Sequence, residues 1–238
     1  MNFKEYYKDK GVAETYDYKR FKGIKAGIVR RLEYTYVDLL TVKASKILEI
    51  GTGTGFISKL LINKGKFYGK DVSQEMLNQT LETLKKLGKK PVKLEIADIL
   101  NLNKKEKFNE VVTIRVISHF NKDDAILALK NINNVLDKEG KLIFNLENKS
   151  ILRRFLRKIR NWGSTYTFQY SDKDIYDLAE KTNFKVEEII YLDHFFIYPL
   201  HLVNKLFFNK LSNFIFNLEL KLKNTRFMSS NSFIRCVK

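Results

Sequence analysis

The sequence predicts an α/β fold, a three-layer sandwich of one mostly parallel, seven-stranded sheet with helices on both faces. Three observations predict it. Apolar runs of about five residues recur along the chain, as strands buried on both faces require. Amphipathic stretches of about ten to fifteen residues separate most of them. The first run breaks into a glycine-rich turn and then resumes at helical spacing. Strands and helices alternating in this way build βαβ units, and hence a parallel sheet.

The organising stretch is KILEIGTGTGF, from Lys46 to Phe56. Ile47, Leu48 and Ile50 form the strand. Gly51, Gly53 and Gly55 interrupt it, and Phe56, Ile57, Leu60 and Leu61 restart at helical spacing. Alternate glycines let backbone approach a bound ligand closely, with N–H groups pointing from the helix start. The pattern then predicts strands at residues 66–70, 92–96, 110–115, 141–146, 185–192 and 232–237. Ser73 reads as the cap of a helix running to Leu87, stopped by Gly88. Further helices are expected from Asp123 to Leu136, stopping before Gly140, and over residues 172–182. Residues 195–223 read as one long apolar helical segment. The first 44 residues look helical, with Tyr6, Tyr7, Tyr16, Tyr18 and Phe21 among lysines. They either cover a sheet edge or form a lid whose tyrosines close over the ligand. The expected plan is one domain over residues 1–238, comprising this lid at 1–44, a ligand-binding core at 45–150 and further helices with the last two strands at 151–238.

Composition narrows the function classes. At 238 residues and 44% hydrophobic, the chain is long enough for a full core. Its formal charge of +17 suits a polyanionic partner or a membrane surface, with compositional bias as the competing source. Cys236 is the only cysteine, which excludes a disulfide framework and a thiolate metal cluster. The N-terminus lacks the apolar core of a signal peptide, and no apolar run spans a bilayer, so cytoplasm is the expected location, with membrane association through the basic surface as its variant. Arg153, Arg154, Arg157, Lys158 and Arg160, interleaved with apolar residues up to Trp162, read as a basic amphipathic helix for a membrane or phosphates, or as a solvated helix.

In an open parallel sheet, ligands sit beyond the carboxyl ends of the strands. Asp71 ends the second strand about twenty residues after Gly51, where a carboxylate can accept from a ribose diol. Asp98 ends the third strand and can accept from an exocyclic amine. Arg115 and His119 follow the fourth. Any one such acid can simply cap the next helix; several in register with the glycine turn point to a ligand. A pyrophosphate fingerprint would place glycine at position 56, which is Phe56 here. Glu49 would also repel pyrophosphate, whereas it suits a cationic ammonium or sulfonium group.

At these residues the chain resembles the class I S-adenosylmethionine-dependent methyltransferases, most closely the ubiquinone/menaquinone-type small-molecule group. The motifs are ILEIGTGTG (47–55), GKDVSQEML (69–77), IADILNL (96–102) and KFNEVVTIRVISHF (107–120), with VAETYDYKRF (12–21) similar to the lid segment. The resemblance implies a Rossmann-like fold and S-adenosylmethionine as cofactor, with no metal. It implies donor contacts at Glu49, Gly51, Thr52, Gly53 and Gly55, and at Asp71, Val72, Met76, Asp98, Ile99 and Arg115. Tyr16 and Arg20 would lie near the methionine end, and His119 would face the acceptor as a base or as a packed, hydrogen-bonded histidine. Asn109 departs from the family's usual aspartate. The expected function is methyl transfer to a small-molecule or lipid- or glycan-linked acceptor, most readily at oxygen. An RNA (tRNA) methyltransferase and a non-catalytic donor-binding protein are the alternatives.

Overall fold

The computed structural model describes residues 6–7, 10–20, 24–102, 106–149, 167–194, 197–206 and 210–238. Two helices, α1 (Lys10–Arg20) and α2 (Ile24–Leu40), precede the first strand, β1 (Lys46–Ile50). A single helical turn, α3 (Ser58–Leu61), leads to β2 (Lys66–Asp71), α4 (Gln74–Lys85) and β3 (Lys93–Ile96). Next come β4 (Phe108–Thr113), α5 (Lys122–Val135), β5 (Leu136–Asn148) and the two-residue β6 (Gln169–Tyr170). The chain closes with α6 (Asp172–Lys181), β7 (Lys185–His194), α7 (Tyr198–Leu206), α8 (Ser212–Lys221) and β8 (Ser229–Val237).

The strands form one eight-stranded sheet in the order β3-β2-β1-β4-β5-β8-β7, with β6 added alongside β5. The strands from β3 to β5 pair in parallel, and β8 lies antiparallel to both β5 and β7. Successive residues feed opposite cores. Leu48, Val111, Leu142 and Ile234 pack against α5 and α6. Ile47, Val112, Ile143 and Phe233 pack against α2 and α8. This period-two alternation of uniformly apolar residues is what a sheet covered on both faces demands. The strand order reverses between β1 and β4, so a crevice opens beyond their carboxyl ends.

Several boundaries differ from expectation for identifiable reasons. The helix after the glycine turn is only one turn long. It ends before Gly65, where an added Cβ would meet the Ala44 carbonyl oxygen at 1.9 Å. β4 stops at Thr113 because the chain turns into the left-handed region at Arg115 (φ 63°). The segment read as one helix over 195–223 contains two. Asn204 clips them together, accepting from the Leu211 N–H (2.8 Å) and donating to the Ser212 hydroxyl (3.0 Å). The basic stretch 151–162 and Phe21 lie outside the described residues.

Two polar contacts fix the frame. Asn109 accepts from the Lys46 N–H (2.9 Å) and donates to Asp137 (3.1 Å), tying the start of β1 to the start of β5. His194, buried at the end of β7, meets Glu219 of α8 through Nδ1 (2.7 Å) and the Thr225 carbonyl through Nε2 (2.7 Å). Acceptors facing both ring nitrogens favour the imidazolium form. Burial alone would lower its pKa, but Glu219 and the Thr225 carbonyl raise it on balance.

Candidate active site

The glycine turn shapes the crevice by steric necessity. Gly51, Gly53 and Gly55 all have positive φ (80°, 54° and 82°). A Cβ on Gly51 would strike Val116 Cγ2 at 2.3 Å, so the backbone passes close under the loop after β4. Gly53 has no atom within 4 Å of an added Cβ and faces open space. Gly55 differs from its expected role. It does not line the cleft; a Cβ there would sit 3.0 Å from Thr80 Cα, so its job is to seat the turn on α4. Thr80 and Thr83 complete that seat by donating to the carbonyls of Gly53 (2.9 Å) and Thr54 (2.8 Å).

The N–H groups of the three glycines are paired within the fold. Gly51 donates to the Lys70 carbonyl (2.7 Å), Gly55 to that of Thr52 (3.0 Å), and Gly53 to Asp71 Oδ2 (2.9 Å). The helix behind them is a single turn. The loop therefore offers shape and bare backbone rather than an anion-binding dipole.

The cleft encloses about 1000 Å³, open solvent at its mouth included. Asp71 closes one wall at the tip of β2, its second oxygen accepting from the Ser73 N–H (3.0 Å). Burial raises its pKa, while the backbone N–H groups of Gly53, Ser73 and Val72 pull it back. Val72, Met76 and Ile99 form an apolar slot beside it. Asp98 lines the same slot and also caps the short 3₁₀ turn Ile99–Asn101 through the Leu100 N–H (3.0 Å), so the capping role and a place in the cleft coexist.

Glu49 lies beneath the turn, 3% exposed, and accepts from the Ser58 hydroxyl (2.5 Å). Burial pushes its pKa up to about 8, against the Ser58 hydrogen bond and with a smaller push from Asp71. Across the cleft, Arg115 donates its Nε to Glu33 (3.0 Å) in a bidentate pair that brings α2 into the wall. Its N–H also donates to Asn145 Oδ1 (2.5 Å), which holds the left-handed backbone. Burial would weaken the charge on Arg115, but Glu33 and the Tyr16 hydroxyl raise its pKa on balance.

The N-terminal helix is fastened over this cavity. Thr54 donates to Asp17 Oδ1 (2.9 Å), and Arg30, stacked 4.0 Å from the Phe56 ring centroid, donates to Asp17 Oδ2 (2.9 Å). His119, in the 3₁₀ turn Ile117–His119, meets Tyr7 edge-on at 5.9 Å, and Tyr7 meets Tyr16 at 6.0 Å. Those three rings line the cleft.

The cleft thus gathers Tyr16, Glu49, Gly51, Thr52, Gly53, Asp71, Val72, Met76, Asp98, Ile99, Arg115 and His119. Arg20 belongs to α1, but its side chain is outside the described residues. Asp17 and Glu33 were missed. A signal for Glu33 was available: it falls next to Leu32, on the buried side of α2 with Val29, Tyr36 and Val37, and a charge on an apolar stripe asks for a partner. Asp17 carried no such signal.

Comparison with known proteins agrees with this geometry. A family model described as a methyltransferase domain matches residues 41–193. No curated protein matches the chain. Among solved structures, magnesium protoporphyrin IX methyltransferase from Synechocystis PCC 6803, with S-adenosylhomocysteine bound, is 15% identical (TM-score 0.67), covering 99% of this chain and 98% of its own. The N-methyltransferase NodS from Bradyrhizobium japonicum WM9 is 15% identical (TM-score 0.59), covering 88% and 85%. The [4+2]-cyclase SpnF is 13% identical (TM-score 0.59), covering 88% and 80%, so this fold also hosts other chemistry. At such identities the structural likeness concerns the fold. The family model spans well over half of the chain, and the protein belongs to the class I S-adenosylmethionine-dependent methyltransferase family.

Proposed function

We propose that the chain transfers a methyl group from S-adenosylmethionine to an oxygen of a small-molecule or lipid-linked acceptor. One observation carries the reading. The bare backbone face of Gly53 and the Asp71 and Asp98 carboxylates meet in one cleft above a buried glutamate whose pKa is raised to about 8. These residues fit the donor. Asp71 would accept from the ribose hydroxyls and Asp98 from the adenine amine, with Val72, Met76 and Ile99 flanking the base. Glu49, Tyr16 and Arg115 would surround the charged methionine end.

The donor supplies an electrophilic methyl group when bound, and the protein's work is alignment and exclusion of water. Tyr16 and Asp17 hold α1 across the cleft by their contacts to Arg115 and Thr54. His119, on the wall beside Tyr7, would take the proton from an acceptor hydroxyl. Imidazole suits that task because it titrates near neutrality.

A donor-labelled assay against a fractionated lysate tests the reading. Label is expected in the small-molecule or lipid fraction. Label in RNA would replace the acceptor class, and tight donor binding without turnover would support a non-catalytic role.

A further inference from the structure

The helical insertion between β7 and β8 presents a face that the cleft does not use. Leu202, Val203 and Leu206 of α7 and Phe214 of α8 are exposed, Leu206 by 76% and Phe214 by 58%. Singly scattered apolar residues are ordinary on a surface, but the spacing of Leu202, Val203 and Leu206 puts three of them on one side of α7, with Phe214 exposed on the next helix. The face is also firmly built. Asn204 is buried between the helices, and Ile215 and Phe216 anchor α8 to the core.

The insertion lies at the cleft end of the molecule. Because β8 is antiparallel to both β5 and β7, β7 runs parallel to β1 and ends on the cleft side. α7 follows directly from that end. On α2, Arg31 donates to Asn213 (2.9 Å) and stacks on Phe216 (3.8 Å), while its neighbour Arg30 holds Asp17 in the cleft wall. A single helix thus joins the exposed face to the site.

Charge indicates what covers the face. From Phe195 to Leu218 the sequence carries Lys205 and Lys210 and no carboxylate. The first acid, Glu219, is buried against His194. The whole chain carries +17. A second copy would bring this positive field against itself, whereas an anionic lipid surface complements both the charge and the apolar side chains. We propose that the α7–α8 face docks on the anionic surface of a membrane, bringing the cleft to a lipid-borne acceptor. The docking rests on this face and the chain's charge; what it delivers rests on the methyl-transfer reading.

Vesicle co-sedimentation of the full chain tests the proposal, using phosphatidylcholine alone and phosphatidylcholine with phosphatidylglycerol. The wild type is expected to sediment with the anionic vesicles only, and Leu206→Ser/Phe214→Ser to bind them about tenfold more weakly. Donor affinity by calorimetry should not change in that variant. Leu202→Ser, as an independent variant, should weaken vesicle binding in the same direction. Wild type left in the supernatant at low salt overturns the proposal. So does equal binding by wild type and variants, which would assign the attraction to charge alone, as for a nucleic acid. A wild-type dimer dissolved by the substitutions would give the face to a second copy instead. Donor binding is a separate readout: its absence in the wild type overturns the methyl-transfer reading, not the docking face.

Discussion

Glu49 and Asp71 are buried carboxylates on neighbouring strands with different support. Asp71 has backbone N–H partners at Gly53 and Ser73, whereas Glu49 relies on the Ser58 hydroxyl and is pushed up to about 8. Near neutrality Glu49 therefore holds its proton, and a cationic ligand group that pairs with it must displace that proton. Donor affinity should rise with pH and level off above about pH 8, with proton release visible as a dependence of the calorimetric heat on buffer ionisation. Glu49→Gln should flatten the profile; a flat profile in the wild type contradicts the pairing. His119→Ala should lower kcat by about a hundredfold or more with donor affinity intact, and an unchanged kcat would remove it from the mechanism. These residues were legible in the sequence because each stands near or just beyond a strand end whose position the apolar runs define. Gly55 was misjudged because a glycine motif does not reveal whether each glycine faces ligand or helix. Here the neighbouring Thr80 decides.

At the scale of elements, α1 is held to the cleft through Tyr16 and Asp17. Asp17→Ala breaks the contacts to Thr54 and Arg30 and should speed donor dissociation several-fold in stopped-flow measurements; an unchanged rate would mean that α1 does not gate the cleft. The His194–Glu219 pair fastens α8 to β7. Its loss in His194→Gln leaves a buried carboxylate without its cation and should cost about 3–5 kcal/mol in denaturant melts below the ordinary histidine range. The folded pKa of His194 is raised from 6.5, so its contribution is full below that value and is lost as pH rises through the higher one. The wild-type advantage should shrink accordingly in alkaline buffer. Neither contact could be read from the chain, because both join residues far apart in sequence through tertiary placement. Seven of the eight strands were legible for the opposite reason, since each falls on a local apolar run; the two-residue β6 (Gln169–Tyr170) has none. The break between α7 and α8 was not, because the same apolar periodicity runs through both, and the Asn204 contacts that clip them side by side leave no local pattern.

For the whole molecule, the order β3-β2-β1-β4-β5-β8-β7 puts the ends of β1, β2 and β4 around one crevice and places the α7–α8 insertion at the same end. The parallel half was foreseeable from alternating strands and helices. The antiparallel insertion of β8 between β5 and β7 was not, since pairing direction leaves no local pattern in a strand buried on both faces. The central claim is that this crevice holds S-adenosylmethionine against Asp71. Titration calorimetry with S-adenosylhomocysteine, comparing the wild type with Asp71→Ala, tests it most directly. One site per chain is expected, weakened by about a hundredfold, or ~3 kcal/mol, in the variant. No binding by the wild type, or equal affinity in a folded Asp71→Ala, would contradict it.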